Sequence, residues 1–97
     1  MVTIEFAKGK IIVSEEEYLK TSQRVHDNFI SKQKGFKSWE ILKDNGGLYI
    51  DLLHWKTLKD AQKAAKLFME HPIAEDFMKC FDMESLSMQH FEVIKRY

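Results

Sequence analysis

Apolar and polar positions along the chain follow two periods that succeed one another in a fixed order. In VTIEFAKGKIIV, residues 2–13, Val2, Ile4 and Phe6 recur at every second position, which predicts a strand, bent or bulged at Gly9. From Ser14 the spacing changes to three and four, so that Tyr18, Leu19, Ser22, Val25, Phe29 and Ile30 mark one face of a helix. Ser14 is placed to cap it by accepting the Glu17 amide, and Glu15, Glu16 and Glu17 suit the positive end of the helix dipole. Gly35 offers a stop, because it accepts a left-handed backbone.

FKSWEILKDNGGLYIDLLHW, residues 36–55, reads as two strands around a DNGG turn, since Asn and Gly supply the positive φ angles of a hairpin loop. Thr57 and Asp60 repeat the capping spacing ahead of a second stripe, Leu58, Ala61, Ala64, Ala65 and Phe68, rich in small residues that let a helix lie close to a sheet. His71-Pro72 interrupts that helix, a short one resumes over 73–80, and SMQHFEVIKR, residues 87–96, closes the chain as a fourth strand. The order β-α-β-β-α-β, with right-handed crossovers, gives a ferredoxin-like α+β fold: a four-stranded antiparallel sheet with both helices on one face. One Pro, four Gly and no linker-like stretch leave residues 1–97 as a single domain.

A sheet covered on one face should alternate apolar and polar residues, and these strands do not. In LYIDLLHW one face carries Leu48, Ile50, Leu52 and His54 and the other Tyr49, Asp51, Leu53 and Trp55; in the last strand Phe91 and Val93 oppose Met88, His90, Glu92 and Ile94. Both faces need cover, and a second copy of the same sheet supplies it most simply, which predicts a homodimer enclosing a layer between two sheets. Within that layer Asp51, His90 and Glu92 stand out, because a carboxylate or imidazole among apolar side chains costs free energy unless it is paired. The expected pocket therefore lies on the dimer-facing side, lined by Asp51, Tyr49, Leu53, Trp55, Met88, His90 and Glu92, while His54 is expected to point toward the helices.

Composition narrows the function classes. Fifteen Lys and Arg balance fifteen Asp and Glu along the chain, which argues against nucleic acid as a partner. The single Cys80 cannot form an internal disulfide, and no stretch approaches the eighteen apolar residues of a membrane span, so a soluble, cytoplasmic protein is expected. Cys80, Asp82 and Glu84 form a C-x-D-x-E run, but no His pair stands at the helical spacing of a strong zinc signature, and no metal is expected.

The order of elements, the strand ending in HW, the helix KTLKDAQKAA that follows and the closing SMQHFEV together resemble the antibiotic biosynthesis monooxygenase family, over essentially the whole chain. The resemblance implies a dimeric α+β barrel and, for the oxygenases of that family, oxidation of an aromatic or quinol-like substrate without a cofactor. It also includes haem-degrading relatives that use an Asn, a Trp and a His. The Trp maps onto Trp55, but Lys8 or Ala7 stands where the Asn is required and Met78, or a near neighbour, where the His is required, so haem degradation is disfavoured. The reading that results is a homodimeric, cofactor-independent monooxygenase in which His90 or Asp51 removes a proton from a small aromatic substrate positioned by Trp55. The alternative is a non-catalytic dimer that binds a small hydrophobic ligand or serves as an interaction module, with Trp55 plugging the barrel and His90 and Asp51 held in structural hydrogen bonds.

Overall fold

The computed structural model describes residues 2–97. Its elements are strands β1 (Thr3–Gly9), β2 (Phe36–Lys43), β3 (Tyr49–Trp55) and β4 (Ser87–Glu92), with helices α1 (Glu15–Asn28), α2 (Leu58–Glu70) and α3 (Ile73–Met78). The strands form one antiparallel sheet in the order β2-β3-β1-β4, and the ferredoxin-like plan expected from the sequence is the one observed.

Local chemistry explains the boundaries. Ser14 caps α1 by accepting the Glu17 amide at 3.1 Å, and Thr57 caps α2 by accepting the Asp60 amide at 3.0 Å. The β2–β3 turn closes on Asp44, whose side-chain oxygen accepts from the amides of Gly46 and Leu48, both at 2.9 Å, with Gly47 at φ +84°. Gly35 does not end α1, which stops at Asn28 and passes into a 3-10 turn over Ile30–Lys32. At φ +82° it instead turns the chain into β2, and its carbonyl accepts the Lys56 amide at 2.7 Å. The last strand is shorter than the pattern predicts, ending at Glu92.

All three helices lie on one side of the sheet. The main core joins Val25, Phe29 and Ile30 of the first helical segment to Leu53 and Trp55 of β3 and to Ala61, Ala64 and Ile73. The alanines let α2 approach closely. A second cluster gathers Tyr18, Tyr49, Cys80 and Phe81 at the other end. Leu19, read as part of the buried face of α1, is exposed, and Thr21 is buried in its place.

The opposite side of the sheet carries no helix among the described residues. Register places Ile4, Phe6, Leu52, Ile50, Leu42 and Phe91 on that side together with His54, and Phe6 meets Phe91 edge to face. The strand alternation therefore identified which residues share a face but assigned the two faces to the wrong neighbours. Tyr49, Asp51, Leu53 and Trp55 are buried beneath the helices, and His54 is on the open side, where Nδ1 lies 3.2 Å from the Ser38 hydroxyl.

Candidate functional site

Between the helix layer and the β1–β3 part of the sheet is a cavity of about 300 Å³. Its floor comes from Glu5 and Ala7 of β1 and from Asp51, Leu53 and Trp55 of β3; Ala64, Ala65 and Phe68 of α2 roof it, and Phe77 and Phe81 close one side. Met69 of α2 and Met88 of β4, both lining residues and both more than half exposed, mark the mouth. The pocket is thus on the helix side of the sheet and not, as the strand pattern suggested, on the dimer-facing side. β1 explains the error: its larger apolar residues, Ile4 and Phe6, face the open side, whereas the helix side receives Thr3, Glu5, Ala7 and Gly9. Short side chains there leave room for a cavity.

Asp51 is 6% exposed and fully engaged. The Tyr18 hydroxyl is shared between its two oxygens at 2.7 and 2.8 Å, and Trp39 Nε1 donates to Oδ1 at 3.1 Å. Burial pushes its carboxyl above the ordinary range despite these two donors, and the same burial beside Asp51 pushes the Tyr18 hydroxyl well above that of a free tyrosine. These bonds are what make a carboxylate tolerable under the helices.

Glu5 was not singled out by the sequence, and it is the more open chemical group. Its side chain is 13% exposed and accepts no hydrogen bond among the described residues; its nearest charged partner is His90, with Nε2 at 3.8 Å. Burial lifts its pKa to about 7, the Trp55 indole pulls in the opposite direction, and the charge of Asp51 adds to the rise. The Trp55 ring is 1% exposed, and although its N–H bears on the Glu5 carboxylate, no acceptor among the described residues completes a hydrogen bond with it. The one signal for Glu5 in the sequence was a charged residue among small ones on the face of β1 opposite Ile4 and Phe6.

The remaining expected site residues divide. Leu53 and Met88 line the cavity. Tyr49 does not: its hydroxyl donates to Glu15 at 2.6 Å, tying β3 to the start of α1, where Lys43 also reaches Glu15 at 2.9 Å. His90 shares the side of Glu5 but sits on the edge strand outside the lining, and Glu92, opposite Thr3 at the end of β4, is exposed and away from the cavity. The structure thus brings Asp51, Trp55, Leu53 and Met88 together with Glu5, leaves His90 at the rim, and separates Tyr49 and Glu92. Among the described residues no group of three His, Cys, Asp or Glu side chains is placed to hold a metal, and no helix is long and apolar enough to cross a membrane.

Neither a protein-family model nor a curated protein matches the sequence. Solved structures do match in shape. A mutant of SnoaB, a cofactor-independent oxygenase from Streptomyces nogalater, superposes with a TM-score of 0.76 at 13% identity, covering 98% of this chain and 95% of that one. A Bordetella bronchiseptica protein assigned provisionally to the antibiotic biosynthesis monooxygenases gives 0.76 at 14% identity, over 97% and 98%. A dimeric ferredoxin-like protein from an uncultured marine organism gives 0.68 at 12%, over 99% and 90%. Near-complete coverage at such low identity is agreement of fold, and on that ground this chain has the fold of the antibiotic biosynthesis monooxygenases.

Proposed function

We propose that the chain is a dimeric oxygenase that acts on a small aromatic or quinol-like substrate in the cavity under its helices, with Glu5 as the base. The observation that carries this reading is a carboxylate without a hydrogen bond, with a pKa of about 7, on the wall of an apolar, ring-lined cavity. A general base is most effective when its pKa lies near the working pH. Of the two residues first considered for that role, Asp51 is occupied by Tyr18 and Trp39, and His90 stands outside the lining. Asp51 then fixes the walls, and His90 passes the proton between Glu5 and solvent.

The chemistry needs nothing beyond substrate, base and O₂. Glu5 takes the proton of the phenolic hydroxyl, leaving a phenolate whose activated ring carbon carries carbanion character. Addition of O₂ gives a peroxide, which is protonated and loses water to leave a carbonyl. One oxygen atom stays in the product, the other leaves as water, and all four electrons come from the substrate. The likeness of fold to a cofactor-independent oxygenase supports this reading. The dimer, formed through the open face of the sheet, is supported by the apolar residues there and by the dimeric ferredoxin-like neighbour.

Turnover of a panel of phenols with an activated ring carbon under ¹⁸O₂ tests the reading. Expected are one labelled oxygen in the product and a rate lower by about 10²-fold or more in Glu5→Gln, the usual worth of a general base. Products without label, or an undiminished rate in Glu5→Gln, would overturn the mechanism. Ligand retention with no turnover across the panel would leave the non-catalytic binding protein in its place.

A further inference from the structure

Both tryptophans and three phenylalanines line the cavity, yet its polar equipment is sparse and one-sided. Its two charged lining residues are both carboxylates, Glu5 and Asp51, and no Lys, Arg or His lines it among the described residues. Asp51 is already satisfied by the donors of Tyr18 and Trp39. The charged acceptor that an entering molecule meets is therefore the Glu5 carboxylate, and the Trp55 indole N–H lies enclosed beside it without a hydrogen-bond partner among the described residues. The indole N–H bears on the Glu5 carboxylate, so an oxygen that hydrogen-bonds to Glu5 from the cavity lies beside that donor.

A hydroxyl oxygen fits that place. It donates its hydrogen to the carboxylate and accepts the indole N–H, which satisfies both groups at once. An ether or ketone would leave the Glu5 carboxylate without a donor, and a ring carboxylate would bring a further negative charge into an apolar space that already holds two acidic groups. We infer that Glu5 and Trp55 are a docking pair for one phenolic hydroxyl, so that the cavity accepts uncharged phenols and turns away ring carboxylates of the same size. Trp55 thereby gains a role beyond packing: once the hydroxyl gives up its proton, the indole N–H remains hydrogen-bonded to the phenolate oxygen. This inference rests on the cavity being the substrate site, but it concerns recognition and does not require turnover.

Three naphthalenes that differ in one substituent make the test: 1-naphthol, 1-naphthoate and 1-naphthylmethylammonium, titrated into the full chain by calorimetry near neutral pH under nitrogen. Naphthol is expected to bind at least about tenfold more tightly than naphthoate, because like charges in a desolvated site are strongly disfavoured. Glu5→Gln should bring the two within about threefold, by removing the charge that repels the acid. Trp55→Phe should weaken naphthol by about five- to tenfold and leave naphthoate excluded, as expected for loss of one donor. Equal binding of phenol and acid, or tighter binding of the ammonium, would overturn the docking pair while leaving the cavity a ligand site. No binding by any of the three would overturn both. Should Trp55→Phe fail to fold, the Glu5→Gln comparison decides alone.

Discussion

The Glu5 carboxylate carries a signature in stability as well as in chemistry. Its folded pKa of about 7 lies above its ordinary value of 4.5, so between those two pH values the folded chain holds a proton that the unfolded chain has released. The contribution of Glu5 to stability falls as pH rises through that window, and the shift of Asp51 acts in the same direction. Glu5→Gln is expected to flatten the fall and to gain about 2 kcal/mol over the parent at pH 8, with little difference at pH 4. Urea denaturation of both proteins at the two pH values reads this directly; a difference between parent and Glu5→Gln that does not change from pH 4 to pH 8 would contradict the burial of Glu5. Asp51 predicts a different pair of outcomes. Asp51→Ala strips acceptors from a fully buried Tyr18 and from Trp39, at a cost of about 2–4 kcal/mol, whereas Asp51→Asn keeps an oxygen for the donors and stays within about 1 kcal/mol. Equal losses in the two variants would mean that the charge, and not the acceptor, holds this site together.

Among the elements, α2 controls whether there is a site at all. Ala64 and Ala65 bring it close to the sheet while leaving the cavity open beneath, so a larger side chain at Ala65 should fill the space without unseating the helix. Ala65→Leu is expected to abolish ligand binding with a stability change of about 1–2 kcal/mol, checked by calorimetry and thermal melting on the same sample. Gly35 sets where α2 begins relative to β2. At φ +82° an added Cβ would be strained and would run into the Asp60 carboxylate, whose own amide the Thr57 cap holds. Gly35→Ala should therefore cost about 1–3 kcal/mol, a loss that thermal or urea unfolding would register, whereas substitution at exposed Gly46 should be nearly neutral.

For the molecule as a whole, the open face of the sheet is the feature that asks for a partner. Phe91 is 47% exposed and Leu42 41%, next to half-buried Ile4, Phe6, Ile50 and Leu52. A patch of this kind is seldom left to water. Native mass spectrometry is expected to give a dimer, and Phe91→Lys, which puts a charge among the apolar residues of the open face, should shift it to the monomer without changing the helical signal in circular dichroism. A monomeric parent would remove the dimer from the proposed function. The cavity, lying on the other side of the sheet, should keep its ligand preference in either state.

Much of this was legible in the chain itself, for local reasons. Capping at Ser14 and Thr57, the turn at Asp44 and the period changes between strands and helices depend on neighbours a few residues apart, so the order of elements and the ferredoxin-like plan follow from sequence. The two-residue period also told which side chains share a face: Asp51 with Trp55, His90 with Glu92. It could not tell which face receives the helices, because period is blind to direction and β1 offers its larger apolar residues to the side left bare. Only the assembled sheet decided that Asp51 lies under Tyr18 and Trp39, that His54 faces outward, and that Glu5 meets Trp55. Their pairing depends on register across strands far apart in sequence, and burial, which no local pattern encodes, raised the pKa of an otherwise ordinary glutamate on the cavity wall.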